Sequence, residues 1–381
     1  MSYLLNVYAL AALSGMVLVL AATRRWRHSK RLLVLLFNLS FLLLFSQKLF
    51  LFSIVYTLVN YCGYIALCRA LRYRRLLFGA AIVLNVAGVA CLRLFGMNVL
   101  EHPLFDVIYL FGLIYTVLKV IDAYYLAYYA GNVVRAPMLD FVNYLLFIPT
   151  FTSGPILKLR DFLADAKKPY AVSAAEFEAG IKRVILGLFK KVVIVAGMMY
   201  VFHDVLEHDL RFYHSLFLMV WFYALIYFDF SGYSDIAIGF GRLMGYTIPE
   251  NFKQPFLSPT LTQYWRNWHA TLGDWFRDHI FMIFSRQFSS RGAAAVLSII
   301  IMVGIGLWHG FSWLYLLWGL YHGVLMALES LLKLSLVNRK KVSTAYFYFR
   351  CFCTQLLVTA AVIVYSGSSD VVLRIYRGLL N

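Results

Sequence analysis

Apolar runs near 20 residues long recur from one end of this chain to the other, and they constrain the fold more than any other feature. A run of about that length spans the hydrocarbon core of a bilayer as an α-helix. Because lipid offers no hydrogen-bond partners, nearly every spanning segment must be helical to pair its own backbone groups. The composition agrees, with 62% hydrophobic and 14% charged residues, against roughly 45–50% and about 25% in soluble proteins. The sequence therefore predicts an all-α polytopic membrane protein with about ten or eleven spanning helices.

Basic residues cluster in the short loops between the apolar runs. The loop from Arg24 to Arg31 contains five Lys or Arg residues, and the loop from Arg69 to Arg75 contains four arginines. Such loops mark the cytoplasmic side, so the N-terminus is predicted to be extracytoplasmic. Topology and anionic lipid then explain most of the net charge of +17. A nucleic-acid partner is not expected, because no basic groove with stacking aromatic side chains separates from the helices.

Three stretches depart from plain spanning helices. The run Thr152–Pro155 breaks the helix expected over residues 141–157. Residues 177–191 have charges spaced around an apolar stripe and are predicted to lie along the interface before residues 184–203 cross. Residues 258–287 are too polar to cross, so an amphipathic or re-entrant helix is predicted there.

The predicted membrane segments are 3–22, 32–46, 48–68, 76–96, 104–121, the interrupted 141–157, 184–203, 212–228, two within 292–333, and 345–365.

One histidine stands out as a candidate for chemistry. Between Gly292 and Leu328 there is no Asp, Glu, Lys or Arg, and His309 and His322 are the only titratable side chains besides tyrosines. An ionisable group in an apolar span is costly and marks a functional site by default. His309 suits a general base, because the unperturbed pKa of imidazole is about 6.5; the alternative is a histidine that bonds a carbonyl across helices. His322 is predicted to be structural, because no polar residue accompanies it.

A second histidine lies in the polar stretch. His269 follows Trp265 by four residues, on the same helix face, and could orient a donor or polarise a carbonyl. The alternative is an interfacial histidine in an aromatic belt. His269 and His309 do not have metal-ligand spacing, so no metal site is predicted. A nucleotide-hydrolysing pump is not expected either, because the sequence has no glycine-rich phosphate loop.

Two aspartates follow the apolar run over residues 212–228. Asp229 and Asp235 bracket Ser231–Ser234, where the helix is predicted to break. One hypothesis places these carboxylates along a polar tunnel, or in pairs with Arg266 or Arg277. The alternative is a helix cap and an ion pair that stabilise the fold.

The polar motifs together resemble the membrane-bound O-acyltransferase family. The matching motifs are Asp229–Ser234, Pro249–Phe252, Tyr264–His269, Trp275–Asp278 and Leu307–Gly310, with Thr152–Pro155 upstream. The resemblance is strongest over residues 145–325, within a single membrane domain predicted over residues 1–381. It implies a ring of helices, thin at its centre, with a central tunnel whose funnels from both faces meet near the histidine.

The resemblance also implies roles for individual residues. His309 takes the place of the family's essential histidine, and His269 that of its second histidine. The predicted substrate or tunnel-lining residues are Asp229, Ser231, Tyr233, Ser234, Asn251, Trp265, Arg266 and Trp308. The expected donor is a cytoplasmic thioester, either on a phosphopantetheinyl carrier protein or as acetyl-CoA. The acyl group would leave on an outward-facing hydroxyl of a cell-envelope polymer or intermediate acceptor, with an extracytoplasmic partner protein.

Within the family, the motifs look like those of the bacterial branch that modifies surface polymers. This resemblance implies a location in the bacterial cell membrane. The run Trp275–Met282 looks like the D-alanyl-transferring members, whereas Phe230–Asp235 and Pro249–Asn251 look like the acetylating members. D-alanyl transfer is favoured, and O-acetylation of an exopolysaccharide from acetyl-CoA is the alternative. A hypothesis of another class is a proton-coupled transporter or flippase gated by the two histidines, which would need a site open alternately to each side.

Overall fold

The computed structural model describes residues 5–25, 29–70, 72–98, 113–287 and 290–381, and its regular structure is helical throughout those ranges. The chain forms two compact units. The first unit consists of Met1–Gly187 and Tyr233–Pro249, and the second unit consists of Leu188–Gly232 and Glu250–Asn381. The single membrane domain predicted over the whole chain stays a prediction.

The helices are numbered in chain order over the described residues. The first unit contains α1 (Val7–Ala22), α2 (Ser29–Phe45), α3 (Gln47–Arg69), α4 (Arg74–Asn98), α5 (Leu113–Ala130), α6 (Met138–Leu146) and α7 (Leu159–Ala166). Two long helices, α8 (Ala174–Glu207) and α9 (Phe212–Leu243), contribute residues to both units. The second unit also contains α10 (Leu261–Asn267), α11 (Ala270–Phe276), α12 (Met282–Gln287), α13 (Arg291–His309), α14 (Trp313–Leu331), α15 (Thr344–Val362) and α16 (Ser369–Gly378). Short 3-10 turns lie at Gly131–Val134, Ile148–Thr150, Pro255–Leu257, Arg339–Lys341 and Ile363–Ser366, and π-helical turns at Phe189–Ile194 and Arg277–Phe281.

Seven helices in the described part of the chain are long and apolar enough to cross a bilayer. They are α3, Arg74–Cys91 of α4, α8, α9, α13, α14, and α15 with the turn that follows it to Ser366. The helix α1 is apolar but shorter. The protein is therefore a multi-pass, all-helical membrane protein, as predicted, while the total of about ten or eleven spans stays a prediction. Parts of four predictions lie outside the described residues: positions 3–4 of the first span, 26–28 of the first basic loop, 71 of the second basic loop, and 104–112 of the span over 104–121.

The break predicted in the segment 141–157 is confirmed. The helix α6 ends at Leu146, a 3-10 turn follows, and helical structure resumes only at Leu159. Within the loop, Gly154 has φ +104°, a conformation that L side chains rarely adopt. A Cβ at this position would lie 3.1 Å from the ring of Tyr233. Glycine therefore lets the loop lie directly against the first-unit part of α9.

One prediction about a helix break is wrong. The helix α9 continues through Ser231–Ser234, where a break was expected. The helix α8 covers Ala174–Glu207 with a π-helical turn at Phe189–Ile194. That residues 177–191 lie along the interface stays a prediction.

Ion pairs between α8 and α9 explain why α9 does not break. In the first unit, Arg183 Nε donates to the Asp235 carboxylate over 2.6 Å. In the second unit, the ammonium group of Lys191 pairs with the Asp229 carboxylate. Because each carboxylate has a cation on the neighbouring helix, the backbone need not unwind to solvate the charge.

Glycines allow α13 and α14 to pack closely. A Cβ at Gly306 would lie 2.3 Å from the carbonyl oxygen of Tyr315, and one at Gly319 would lie 2.5 Å from that of Met302. The two backbones therefore approach each other with no room for a side chain, as small residues permit between membrane helices. This contact fixes the end of α13, whose last residue is His309.

Replacing Gly319 by alanine should destabilise the protein. The added methyl group must push α13 and α14 apart, and overpacking of this kind costs about 1–3 kcal/mol. The matched control is Gly304→Ala on α13, because a Cβ there would meet only the Phe276 ring at 3.8 Å. Thermal unfolding in detergent, followed by size-exclusion chromatography, should give a lower midpoint for Gly319→Ala and a wild-type midpoint for the control. Equal midpoints in the two variants would contradict the packing described above.

Candidate active site

The imidazole of His309 packs among aromatic rings of the second unit. Its ring centroid lies 5.0 Å from that of Tyr365, 5.8 Å from that of Trp318 and 6.1 Å from that of Tyr315. The residue is half-buried. Gly310 ends the helix, and a Cβ there would lie 2.6 Å from the Tyr315 ring. Glycine is therefore required for the chain to turn so close to the aromatic cluster.

A hydrogen bond joins the Tyr365 hydroxyl to Nε2 of His309 over 3.1 Å. A phenol is a weaker acid than an imidazolium, so both groups stay neutral. A neutral imidazole N–H is in turn a weaker acid than a phenol O–H, so the phenol is the better donor and Nε2 accepts. The ring proton of a neutral His309 then resides on Nδ1. Tyr365 lies in the 3-10 turn Ile363–Ser366, which ends at Gly367 with φ +71°. Sequence reasoning missed Tyr365, because it lies 56 positions from His309 and belongs to no local motif.

Asn251 holds His269 at the junction of α10 and α11. The backbone of His269 has φ +46° and ψ +47°, in the left-handed region, which costs a non-glycine residue about 1–3 kcal/mol. The backbone oxygen of Asn251 accepts the N–H of Ala270 over 2.9 Å. Its side-chain Oδ1 accepts from the N–H and the hydroxyl of Thr271 over 3.3 and 2.9 Å. These bonds stabilise the unusual backbone conformation.

The same carboxamide sets the tautomer of His269. Its Oδ1 lies 3.1 Å from Nδ1 of His269. Because the N–H of Thr271 also points at this atom, the atom is an acceptor, and Nδ1 of His269 must donate. The residue lies outside the seven spanning helices, and burial lowers the pKa of His269 well below its usual range, with His309 lowering it further. A neutral His269 therefore has its basic lone pair on Nε2.

Trp308 connects the two histidines. Its ring centroid lies 6.0 Å from that of His269 and 4.7 Å from that of His309. Phe230 of α9 also packs edge-on against His269 at 4.6 Å. The structure thus brings together four residues predicted from the sequence, namely His309, His269, Asn251 and Trp308.

The remaining polar candidates of the second unit have other contacts. Asp229 pairs with Lys191 as described above, not with Arg266 or Arg277. Ser231 lies 3.3 Å from Nζ of Lys190. Arg266 is exposed. Arg277 donates instead to the carboxylates of Asp274 and Asp278, over 2.7 and 3.1 Å.

Two predicted lining residues, Tyr233 and Ser234, belong to the first unit. The hydroxyl of Tyr233 lies 3.3 Å from Oγ1 of Thr152, and Ser234 is buried. Their role along a tunnel stays a prediction.

Trp265 packs against His322 within the second unit, with ring centroids 5.0 Å apart. Both rings also contact Trp318, at 5.2 and 4.9 Å. His322 is buried, and Nδ1 has no hydrogen-bond partner within the described ranges. Packing of this kind agrees with the structural role predicted for His322.

Glu329, near the end of α14, anchors the segment that leads to His269. Its carboxylate accepts the N–H groups of Leu261 and Thr262 over 2.8 and 2.9 Å, and the Thr262 hydroxyl over 2.8 Å. A carboxylate at a helix N-terminus is favourable, because the unpaired N–H groups carry partial positive charge. The start of α10 is therefore tied to the helix that packs on α13. Sequence reasoning missed this contact, because the two segments are far apart in the chain.

Asn251→Ala should loosen the loop that holds His269. The variant loses the buried bonds to Thr271 and His269, and each buried group left unsatisfied costs about 1–3 kcal/mol. Amide hydrogen exchange over residues 269–272 should accelerate, and the thermal midpoint should fall. Asn267→Ala is the matched control, since its amide donates to Ser258 over 2.9 Å in the same segment without touching the histidines. Unchanged exchange in Asn251→Ala would contradict the role given to the carboxamide.

Comparisons with known proteins agree with this arrangement of motifs. Residues 18–348 match the family described as "MBOAT, membrane-bound O-acyltransferase family". Similar proteins include the "Probable alginate O-acetylase AlgI" of Pseudomonas syringae pv. tomato, 32% identical over 250 residues, or 64% of this chain and 46% of that protein. The "Teichoic acid D-alanyltransferase" of Bacillus subtilis is 31% identical over 238 residues, or 59% of this chain and 60% of that protein. The "Peptidoglycan O-acetyltransferase" of Helicobacter pylori is 29% identical over 205 residues, or 50% of this chain and 37% of that protein.

The chain spans about half the length of the curated relatives it matches. The family match nevertheless covers most of the chain. It includes α13 with His309 and the segment that contains Asn251 and His269. The chain therefore belongs to the membrane-bound O-acyltransferase family.

Proposed function

We propose that this protein is an O-acyltransferase that moves a small acyl group from a cytoplasmic thioester to a hydroxyl of a cell-envelope polymer or intermediate acceptor. The observation that carries the proposal is the arrangement of two imidazoles around Trp308, each with a partner that assigns its ring proton. Family membership supports acyl transfer over the transporter or flippase hypothesis.

His309 is the general base of the proposed reaction. Its basic Nε2 is the final acceptor of the proton that the acceptor hydroxyl loses while the hydroxyl oxygen attacks the thioester carbonyl carbon. The tetrahedral intermediate then expels the thiolate, and the imidazolium returns the proton to the leaving sulfur. Proton transfer by a positioned side chain contributes typically about 10²–10⁴-fold to a rate.

His269 orients the acceptor in this proposal. Its Nδ1–H is already donated to Asn251, so a neutral His269 has no second N–H with which to polarise a carbonyl. Its Nε2 can accept a hydrogen bond from an alcohol, which would direct the oxygen lone pairs of that alcohol at the acyl carbon. The sequence suggested that His269 orients a donor or polarises a carbonyl, and the role proposed here, orienting the acceptor, differs from both.

Two thioesters are candidates for the acyl donor. A D-alanyl thioester on a phosphopantetheinyl carrier protein is favoured by the run Trp275–Met282 and by similarity to the teichoic acid D-alanyltransferase. Acetyl-CoA is the alternative donor, supported by similarity to the alginate O-acetylase and the peptidoglycan O-acetyltransferase. With either donor, the protein resides in a bacterial cell membrane with an extracytoplasmic N-terminus. It passes the acyl group to a polymer or to an extracytoplasmic partner.

His309→Ala should abolish acyl transfer and leave the protein folded. The wild type or a variant is produced in cells that lack a chromosomal copy of its gene. Inverted membrane vesicles from these cells are incubated with radiolabelled acetyl-CoA or with a radiolabelled D-alanyl carrier protein. Transfer of label to envelope material in the wild type identifies the donor, and His309→Ala should reduce that transfer by about 100-fold or more. The exposed residue His203 provides the control variant His203→Ala, which should behave as the wild type. Undiminished transfer in His309→Ala would rule out the proposed base.

A further inference from the structure

The Tyr365 hydroxyl occupies the one nitrogen of His309 that can act as a base. A neutral imidazole has a single basic nitrogen, and the hydrogen bond from Tyr365 places it at Nε2. An acceptor hydroxyl can therefore use His309 only if it displaces the phenol or if the proton passes through the phenol.

The surroundings of Tyr365 disfavour displacement. Its ring centroid lies 5.0 Å from that of His309, 5.3 Å from that of Trp318 and 6.1 Å from that of Tyr315. Pairs of aromatic rings at such distances contribute stability beyond the burial of their area. The backbone is also confined, because the one-turn 3-10 helix that carries Tyr365 closes at once on Gly367. Moving the Tyr365 ring away from Nε2 would disturb these ring contacts, whereas a proton relay leaves the ring in place.

We propose that Tyr365 is a catalytic residue that relays the acceptor proton to His309. This inference rests on the proposed function and assigns the route of the proton in that reaction.

The relay balances without an oxidant or reductant. The phenol gives its proton to Nε2 of His309 and takes the proton of the acceptor hydroxyl, whose oxygen forms the new C–O bond to the thioester carbonyl carbon. When the intermediate collapses, the C–S bond breaks and the sulfur departs as a thiolate. The imidazolium returns one proton through the same phenol to that sulfur, so both side chains end as they began.

Tyr365→Phe tests the relay, because it retains the ring and its aromatic contacts and removes only the hydroxyl. In the vesicle assay with the donor that the wild type uses, kcat should fall about 100-fold or more while KM for the donor changes little. Tyr321→Phe is the matched control. The Tyr321 hydroxyl donates to the Leu357 carbonyl oxygen over 2.9 Å in the same unit, so its loss should leave kcat near the wild-type value.

A second measurement, made on the wild type, tests the relay without depending on the folding of a variant. A single turnover of the wild type in mixtures of light and heavy water should show a curved dependence of rate on deuterium fraction, because two protons move together. A linear dependence would overturn the relay, as would a kcat of Tyr365→Phe within about twofold of the wild type. If His309→Ala is inactive while Tyr365→Phe is not, the relay alone fails. If His309→Ala is active, the proposed function itself fails.

Discussion

The candidate site of the second unit depends on the hydrogen bonds that pair His269 and His309 with fixed polar partners. A buried polar group without a partner costs about 1–3 kcal/mol, because the water that it loses must be replaced. His269 meets this requirement with the Asn251 carboxamide and His309 meets it with the Tyr365 hydroxyl. Each of these bonds also assigns the ring proton, so that each neutral imidazole has its lone pair on Nε2. The same contacts that permit burial therefore prepare the rings for proton transfer.

The scaffold around these rings is stiff for identifiable reasons. Gly306 and Gly319 let the backbones of α13 and α14 approach closely, which fixes the helix end that carries His309. Glu329 ties the start of α10 to α14, so the segment that leads to His269 is anchored to the same pair of helices. Sites built on such elements hold their geometry better than sites on unsupported loops. The left-handed backbone of His269 persists because Asn251 stabilises it.

The sequence predicted those features that depend on local patterns. Apolar runs indicated the spanning helices, and the proline and glycine of Thr152–Pro155 indicated the broken segment. His309 was recognised as a candidate because the stretch around it contains no charged residue. Prediction failed where a distant partner changes the local preference. The helix α9 was expected to break at Ser231–Ser234, but Arg183 and Lys191 of α8 neutralise the flanking aspartates. Tyr365 and Glu329 were missed for the same reason, since their significance arises only from residues far away in the chain.

In the proposed reaction, the pair of His309 and Tyr365 faces the acyl carbon of the donor. The most direct measurement is an electron cryomicroscopy structure of the full chain with a non-hydrolysable thioether analogue of the donor. The carbonyl carbon should lie beside the Tyr365 hydroxyl, with room for one alcohol oxygen within about 2.6–3.2 Å of the phenol oxygen. A carbonyl carbon bound elsewhere, with aromatic rings closed between it and His309, would rule out both His309 as the base and Tyr365 as the relay.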